Sequence, residues 1–452
     1  MPAPKSMSGR RAAERRVEPP GQDLTAAIDA LAEVLELDRP ADVRLSACFR
    51  ADPKLGARDR AFIAEAVYGV LRHLRSLQVL AAPPVKPLAA LPPSGIGVPL
   101  AGATPRRLLL AWLARHGGRN LREFESLVDK DDLEWLRGLK GASLDEQPEA
   151  VRLDLPDWLH ERLLAQYGER LPGLMAALNS PAPLDLRVNS LKAGRDTLLA
   201  ELAGEGLAAA PTPYSPLGIR LQGKPALQKH GRYLDGSFEV QDEGSQLLGL
   251  LLAPRRGEMV CDFCAGAGGK TLLLGALMHS AGRLYAFDVS EKRLAKLKPR
   301  LARSGLSNVQ GLLIAHERDA KVKRLAGKFD RVLVDAPCSG LGTLRRNPDL
   351  KWRQSPQSVE ELNAKQTAIL ASAASLVKPA GRLVYATCSL LAEENEGIVE
   401  AFLAAHPDFC VLPAGEVLAA QKVPLEMGTY FRLEPATHGA DGFFAAVLER
   451  RA

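Results

Sequence analysis

Val260-Cys261-Asp262-Phe263-Cys264-Ala265-Gly266-Ala267-Gly268-Gly269-Lys270-Thr271 is the stretch that decides the fold. Its first four residues read as a buried strand end, and the rest as a glycine-rich turn running into a helix. Glycines in such a turn let the backbone approach a ligand closely, and free amides at a helix start favour a negative group. A Walker A loop needs Gly five residues before Gly269, where Cys264 stands. A nicotinamide fingerprint fails on the spacing of Gly266, Gly268 and Gly269. Asp288 ends the next strand, 22 residues past Gly266. A carboxylate near that distance can hold ribose hydroxyls; the alternative is a helix cap before Ser290-Glu291. Taken together, S-adenosylmethionine is the best-fitting cofactor, with Cys264 through Lys270 and Asp288 as its candidate contacts.

Outward from this stretch, strands are expected at 259–263, 283–288, 310–314, 331–334 and 381–385, with helices between. That alternation predicts an α/β fold, a mostly parallel sheet covered on both faces. Upstream, Leu184 to Val188 and Gly218 to Leu221 read as strands, and Pro156 to Tyr167 and Asp196 to Leu207 as helices. This predicts a small α+β subdomain over 150–235 before the main domain of 236–452, with a linker near 141–152. Residues 22–140 read as helical: a helix capped by Asp23, one over about 57–76, and one over Arg106 to His116. A Pro-rich loop, Ala82 to Pro99, interrupts them. Arg58, Arg60, Arg72 and Arg75 either face water or meet phosphate. Residues 1–21 carry Arg10, Arg11, Arg15 and Arg16 and read as a disordered basic tail.

The chain has 452 residues, 46% hydrophobic and 25% charged, enough for real cores and about three domains. Lys plus Arg is 59 against 53 acids, a +6 excess that fits a polyanionic partner without establishing one. Six cysteines in so long a chain suggest a reducing, cytoplasmic setting without disulfides. No apolar run of about 20 residues is present, so no membrane span is expected. Cys261 and Cys264 lack a second pair for a zinc site; strand core and loop backbone are their plainer roles. No catalytic metal is expected.

Two further cysteines lie just past strands, in Asp335-Ala336-Pro337-Cys338-Ser339-Gly340 and Tyr385-Ala386-Thr387-Cys388-Ser389-Leu390. In an open α/β sheet, groups past the strand carboxyl ends face the ligand crevice. A lone cysteine there is usually a small buried hydrophobe; two beside polar residues, with Asp335, suggest more. A thiolate adding to carbon 6 of cytosine makes carbon 5 nucleophilic enough to take a methyl group. A base must then remove the carbon 5 proton, and a carboxyl group at ring nitrogen 3 stabilises the adduct. Chemistry alone does not choose the attacking thiol: a Pro-Cys nucleophile, as in DNA cytosine methyltransferases, would nominate Cys338.

From about Pro183 to Leu448 the chain closely resembles the Sun/Fmu family of RNA cytosine-5 methyltransferases. The resemblance rests on Arg187 to Lys192, Gln241 to Gln246, Cys264 to Lys270, Asp288, the two cysteine segments, Glu393-Glu394-Asn395-Glu396 and Asp441-Gly442-Phe443-Phe444. It implies a Rossmann-like methyltransferase domain and an RRM-like small subdomain. It assigns attack to Cys388, product release to Cys338, and contact with both cofactor and base to Asp335. Ala267 departs from the family's usual Pro. The acid that meets adenine is open between Glu317 and Asp319, with His316 a further occupant. The loop Leu344 to Trp352 also fits the family; with the Arg187 strand it nominates Arg187, Arg345, Arg346 and Lys351 as RNA contacts, and Trp352 to stack or pack. More weakly, Ala57 to Phe62 and Val67 to Arg72 resemble a NusB-like RNA-binding domain. The implied partner is RNA, ribosomal first and transfer second; the oligomeric state stays open, with a monomer favoured.

Overall fold

The computed structural model describes residues 21–82, 103–118, 121–123, 128–139 and 141–452. The expected tail, apart from Gly21, and the Pro-rich loop, apart from Ala82, lie outside the described residues. The described chain forms two compact units, divided between Ser143 and Leu144.

The first unit is helical. Its longest helix, Ala57–Arg72, turns Ile63, Ala66, Val67, Val70 and Leu71 inward at helical spacing. It abuts the helix Pro105–Arg115 so closely that a Cβ on Gly69 would sit 2.1 Å from the Trp112 ring. The helix expected over 57–76 breaks at His73 and resumes as Leu74–Ala81. Asp23 lies within the helix Gly21–Val34. Of the four arginines left open between water and phosphate, Arg58 is exposed, Arg60 and Arg72 are half-buried, and Arg75 is buried.

The second unit holds two sheets. Strands β1 (Leu184–Val188), β2 (Ala209–Pro211), β3 (Gly218–Leu221) and β4 (Phe238–Val240) form an antiparallel sheet in the order β2-β3-β1-β4. The large sheet adds β5 (Met259–Asp262), β6 (Arg283–Asp288), β7 (Val309–Leu313), β8 (Phe329–Asp335), β9 (Val377–Thr387), β10 (Phe409–Leu412), β11 (Phe431–Leu433) and β12 (Phe443–Arg450). Its order is β10-β12-β9-β8-β5-β6-β7, with β11 also on β12. The strands β5 to β9 are parallel; β12 runs antiparallel to β9. The sequence reading did not foresee this antiparallel edge.

The parallel strands read as continuous apolar runs because both faces are buried. Val332, Val334, Leu383 and Tyr385 point to one core; Leu333, Val384 and Ala386 point to the other. Each of these Val and Leu side chains contributes about 1.5–3 kcal/mol on full burial. From β5 the chain winds outward to β6 and β7, then returns to β8 and β9 on the other flank. The carboxyl ends of β5 and β8, at this reversal, open the ligand crevice.

Helices Asp157–Tyr167 and Leu171–Leu178 precede the small sheet but share a core with Leu341, Leu344, Val359, Leu390 and Leu391. Gln166 caps the same place, donating to Leu390 O at 2.7 Å and accepting from Ala392 N at 3.0 Å. These helices therefore buttress the segment that follows Cys388.

Candidate active site

A cleft of about 860 Å³ opens at the ends of β5, β6, β8 and β9. Its floor is the turn between β5 and the helix Gly269–Leu277. Gly266 and Gly268 both have positive φ, 57° and 85°, a region that glycine enters without steric cost. A Cβ on Gly268 would also sit 2.1 Å from Leu297 Cδ1, so this glycine packs inward. Cys264, Ala265, Gly266, Ala267, Gly269 and Lys270 line the cleft.

Asp288, at the end of β6, lines it too. Its carboxylate accepts from Gly266 N at 2.8 Å and Ser290 N at 2.7 Å, pinning the glycine turn to β6. The helix cap is Ser290, which accepts from Arg293 N. Each Asp288 oxygen retains acceptor capacity for a ligand hydroxyl. Asp262 lies deeper, fully buried. Thr271 Oγ1 donates to its Oδ2 at 2.7 Å, while Oδ1 has no hydrogen-bond partner among the described residues. Burial pushes this carboxyl up to about 7, against the lowering effect of Thr271. An unpartnered acceptor, a carboxylate with spare lone pairs and a helix start, all on one cleft, suit a charged nucleoside such as S-adenosylmethionine.

Of the competing acids, Glu317 lines the cleft with His316. Asp319 is taken up as a helix cap, accepting from Ala315 N at 2.8 Å and Lys321 N at 2.9 Å.

On the β8–β9 side, Lys270 Nζ donates to Asp335 Oδ2 at 2.7 Å. Burial alone would lower this ammonium, but Asp335, with Cys388 and Asp262, raises it overall, so Lys270 is held charged. Cys338 Sγ and Cys388 Sγ stand 3.4 Å apart, and both line the cleft. Cys338 Sγ also accepts from Cys388 N at 3.4 Å. The hydrogen bond to Cys388, then burial, then the charges of Cys388 and Glu394 push the Cys338 thiol well above its ordinary value. The charge of Glu394 thus acts on Cys338, and that of Cys388 on Lys270.

The nominated RNA contacts are corrected by burial at Arg187, Arg345 and Lys351, and by ion pairing at the half-buried Arg346. Arg187 is 2% exposed and donates to Gln241 and to Gly269 O at 2.6 Å. Burial lowers its guanidinium to about 10. It ties the small sheet to the cofactor turn. Lys351 is fully buried, donating to Asn179 Oδ1 at 3.0 Å, and Trp352 packs beside it. Arg345 is buried and donates to Gly439 O at 3.1 Å and Ala440 O at 3.2 Å. Arg346 pairs with Asp242 at 3.0 Å and with Asp441. Acids about a hundred residues away in the chain absorb the charge of Arg346, which its local sequence does not reveal. Sequence reasoning also missed Asp262 as a cleft acid and the Lys270–Asp335 pair.

Among the described residues, no group of three or more His, Cys, Asp or Glu side chains is placed to hold a metal ion. Among them also, no helix is long and apolar enough to cross a membrane.

Residues 249–449 match the family model described as 16S rRNA methyltransferase RsmB/F. Residues 155–228 match a ferredoxin-like domain of the same kind of protein. The ribosomal RNA small subunit methyltransferase B of Sodalis glossinidius is 33% identical over 407 residues, covering 87% of this chain and 90% of that protein. The probable ribosomal RNA small subunit methyltransferase B of Synechocystis is 33% identical over 436 residues, covering 93% and 97%. Among solved structures, PH0851 superposes with a TM-score of 0.76 at 26% identity, covering 96% of this chain and all of that one. NSun6 from Pyrococcus horikoshii with SFG shares the fold, at a TM-score of 0.59 and 23% identity, over 66% of this chain and 98% of that one.

Proposed function

Because the chain belongs to the RsmB/F family of 16S rRNA methyltransferases, we propose that it methylates carbon 5 of a cytosine in small-subunit ribosomal RNA, with Cys388 as the attacking thiol. The observation that carries this reading is the pair of sulfurs 3.4 Å apart, in one cleft with the Lys270–Asp335 pair. S-adenosylmethionine supplies the methyl group on a positively charged sulfur. Carbon 5 becomes nucleophilic when Cys388 Sγ bonds to carbon 6 and the ring turns into an enamine. Asp335, held by Lys270, takes the ring edge at nitrogen 3.

After transfer, Cys338 gives its thiol proton to solvent at the open cleft, and its Sγ, now a thiolate, accepts the carbon 5 proton. The pair from that C–H bond restores the ring double bond, the carbon–sulfur bond breaks, and Cys388 leaves as thiolate. Before attack, the bond to Cys388 is the largest influence keeping Cys338 protonated. A Cys388 sulfur bonded to carbon carries no charge and offers no such partner, so the largest of these restraints lifts when the base is needed, while burial and Glu394 remain.

With Arg345 and Lys351 buried and Arg346 paired with two acids, the RNA-binding part of the proposal passes to exposed cations beside the cleft. These are Lys292, Arg293 and Lys296 on the helix Glu291–Ser304, and Lys365 across the cleft. Residues 22–140, with exposed Arg58, complete it as a NusB-like RNA-binding domain. The target cytosine is unpaired or flipped, since carbon 6 is shielded within a stack.

The test offers radiolabelled S-adenosylmethionine with small-subunit rRNA, transfer RNA and DNA. Label on rRNA cytosines is expected. Label on transfer RNA or DNA alone would overturn the substrate, and no adduct with 5-fluorocytosine RNA would overturn the covalent route.

A further inference from the structure

Glu394 is fully buried and lies outside the cleft lining, yet it touches both cysteine loops. Its Oε1 accepts from Ser339 N at 2.8 Å, the residue after Cys338. Its Oε2 accepts from Ser339 Oγ and from Ser389 Oγ, the residue after Cys388. Gln366 Nε2 donates to Glu394 Oε1 at 2.9 Å and to Pro337 O at 3.0 Å, the residue before Cys338. Next in the chain, Asn395 accepts from Thr387 Oγ1 and donates to Ser389 O at 3.2 Å, bracketing Cys388. Tyr385 OH donates to Glu394 O at 2.7 Å and fixes the segment to β9. Ser339, Thr387 and Ser389 are thus tied directly to one short segment, and Pro337 through Gln366.

We propose that Glu394 is a positioning residue that locks the Cys338 and Cys388 loops in register, so that both sulfurs meet the same point of the substrate ring. The proposal rests on the two-thiol reading above. Four donors on one carboxylate make a join that no single loop supplies, and a buried anion keeps all four aimed inward. The same charge lies on the Cys338 side, which favours that thiol's protonated form. A misplacement of about 1 Å at a reacting centre costs up to about 10²-fold in rate, so register is worth fixing this firmly.

The experiment compares full-length wild type, Glu394→Ala and Glu394→Gln. Dibromobimane, which bridges two thiols only when they are close, is the first probe, with the Cys338–Cys388 bridge identified by peptide mass. Steady-state rates and their pH dependence are the second. Glu394→Ala is expected to slow bridging and kcat by about tenfold or more, with KM for RNA and cofactor within about twofold. Glu394→Gln keeps the shape without the charge, so it serves if the alanine variant fails to fold. Its rate profile is expected to shift to lower pH, because Cys338 loses a neighbouring anion. Unchanged bridging, or kcat and both KM values moving together with an unshifted pH profile, would overturn the proposal. Bridging needs no methyl transfer: wild type that bridges but never methylates contradicts the proposed function alone.

Discussion

The β5–β6 half of the cleft and the β8–β9 half are built by opposite means. In the first, main chain faces the ligand: a glycine turn, a helix start, and a carboxylate that bonds backbone amides at both oxygens. In the second, single side-chain atoms do so: two sulfurs, an ammonium and a carboxylate. A surface made of many amides loses affinity by degrees when one contact goes. A centre made of individual sulfurs loses its chemistry outright.

The largest effects therefore belong to the thiol half. Cys388→Ala should reduce methylation to background and abolish the covalent RNA adduct, because attack on carbon 6 is lost. Cys338→Ala should still attack and transfer but stall at release, leaving a shifted band on a denaturing gel. An adduct that builds up in Cys388→Ala and is missing in Cys338→Ala would reverse the two roles.

Arg346→Ala tests whether the basic loop is structural. It strips a cation from Asp441, whose carboxyl burial already pushes up to about 6. Breaking such a half-buried pair should cost about 3 kcal/mol in urea unfolding, with the salt dependence of RNA binding unmoved. A changed salt slope with unchanged stability would return the loop to RNA.

Asp262 sharpens the comparison through pH. Its folded value, about 7, lies above the ordinary 3.8, so the folded state keeps a proton that the unfolded chain gives up. Its stabilising contribution is full below about pH 4 and is lost as pH rises to about 7. Asp262→Asn should therefore gain on wild type by roughly 2–3 kcal/mol between pH 5 and pH 8. An equal difference at both pH values would mean that the carboxylate ionises without penalty.

Asp288→Ala should weaken cofactor binding in calorimetry by about tenfold or more, since it removes ribose contacts and frees Gly266. Unchanged affinity would make this carboxylate a strut alone. Smallest is the effect of replacing Lys292, Arg293 and Lys296 by Ala. Each lost phosphate contact should lower the salt slope of RNA binding by roughly 0.7. An unaltered slope would place the RNA elsewhere.

The strands that carry the site were readable because burial on both faces leaves unbroken apolar runs such as Val332-Leu333-Val334. The thiols were readable because each follows such a run directly. The basic loop was misjudged because the partners of Arg346, Asp242 and Asp441, lie far off in sequence. Nothing local separates a lysine aimed at Asn179 from one aimed at solvent. β12 escaped notice because Phe443-Phe444-Ala445-Ala446-Val447-Leu448, without turn signals inside it, fits strand or helix equally. Glu394 stood in a recognised motif, but its reach to two loops is a property of the folded chain.

β12 is the final strand in sequence, yet it lies inside the sheet, between β9 and β10. Gly442, just ahead of it, donates to Gly342 O at 2.8 Å, and Gly342 donates to Cys388 O at the same distance. On a ribosome making this chain from its amino end, β5 through β9 emerge while the outer edge of β9 is still bare. The Cys388 loop then lacks its last anchor until residues 442–450 leave the exit tunnel. The Cys388 loop thus gains this anchor in the same step that covers the open edge of β9.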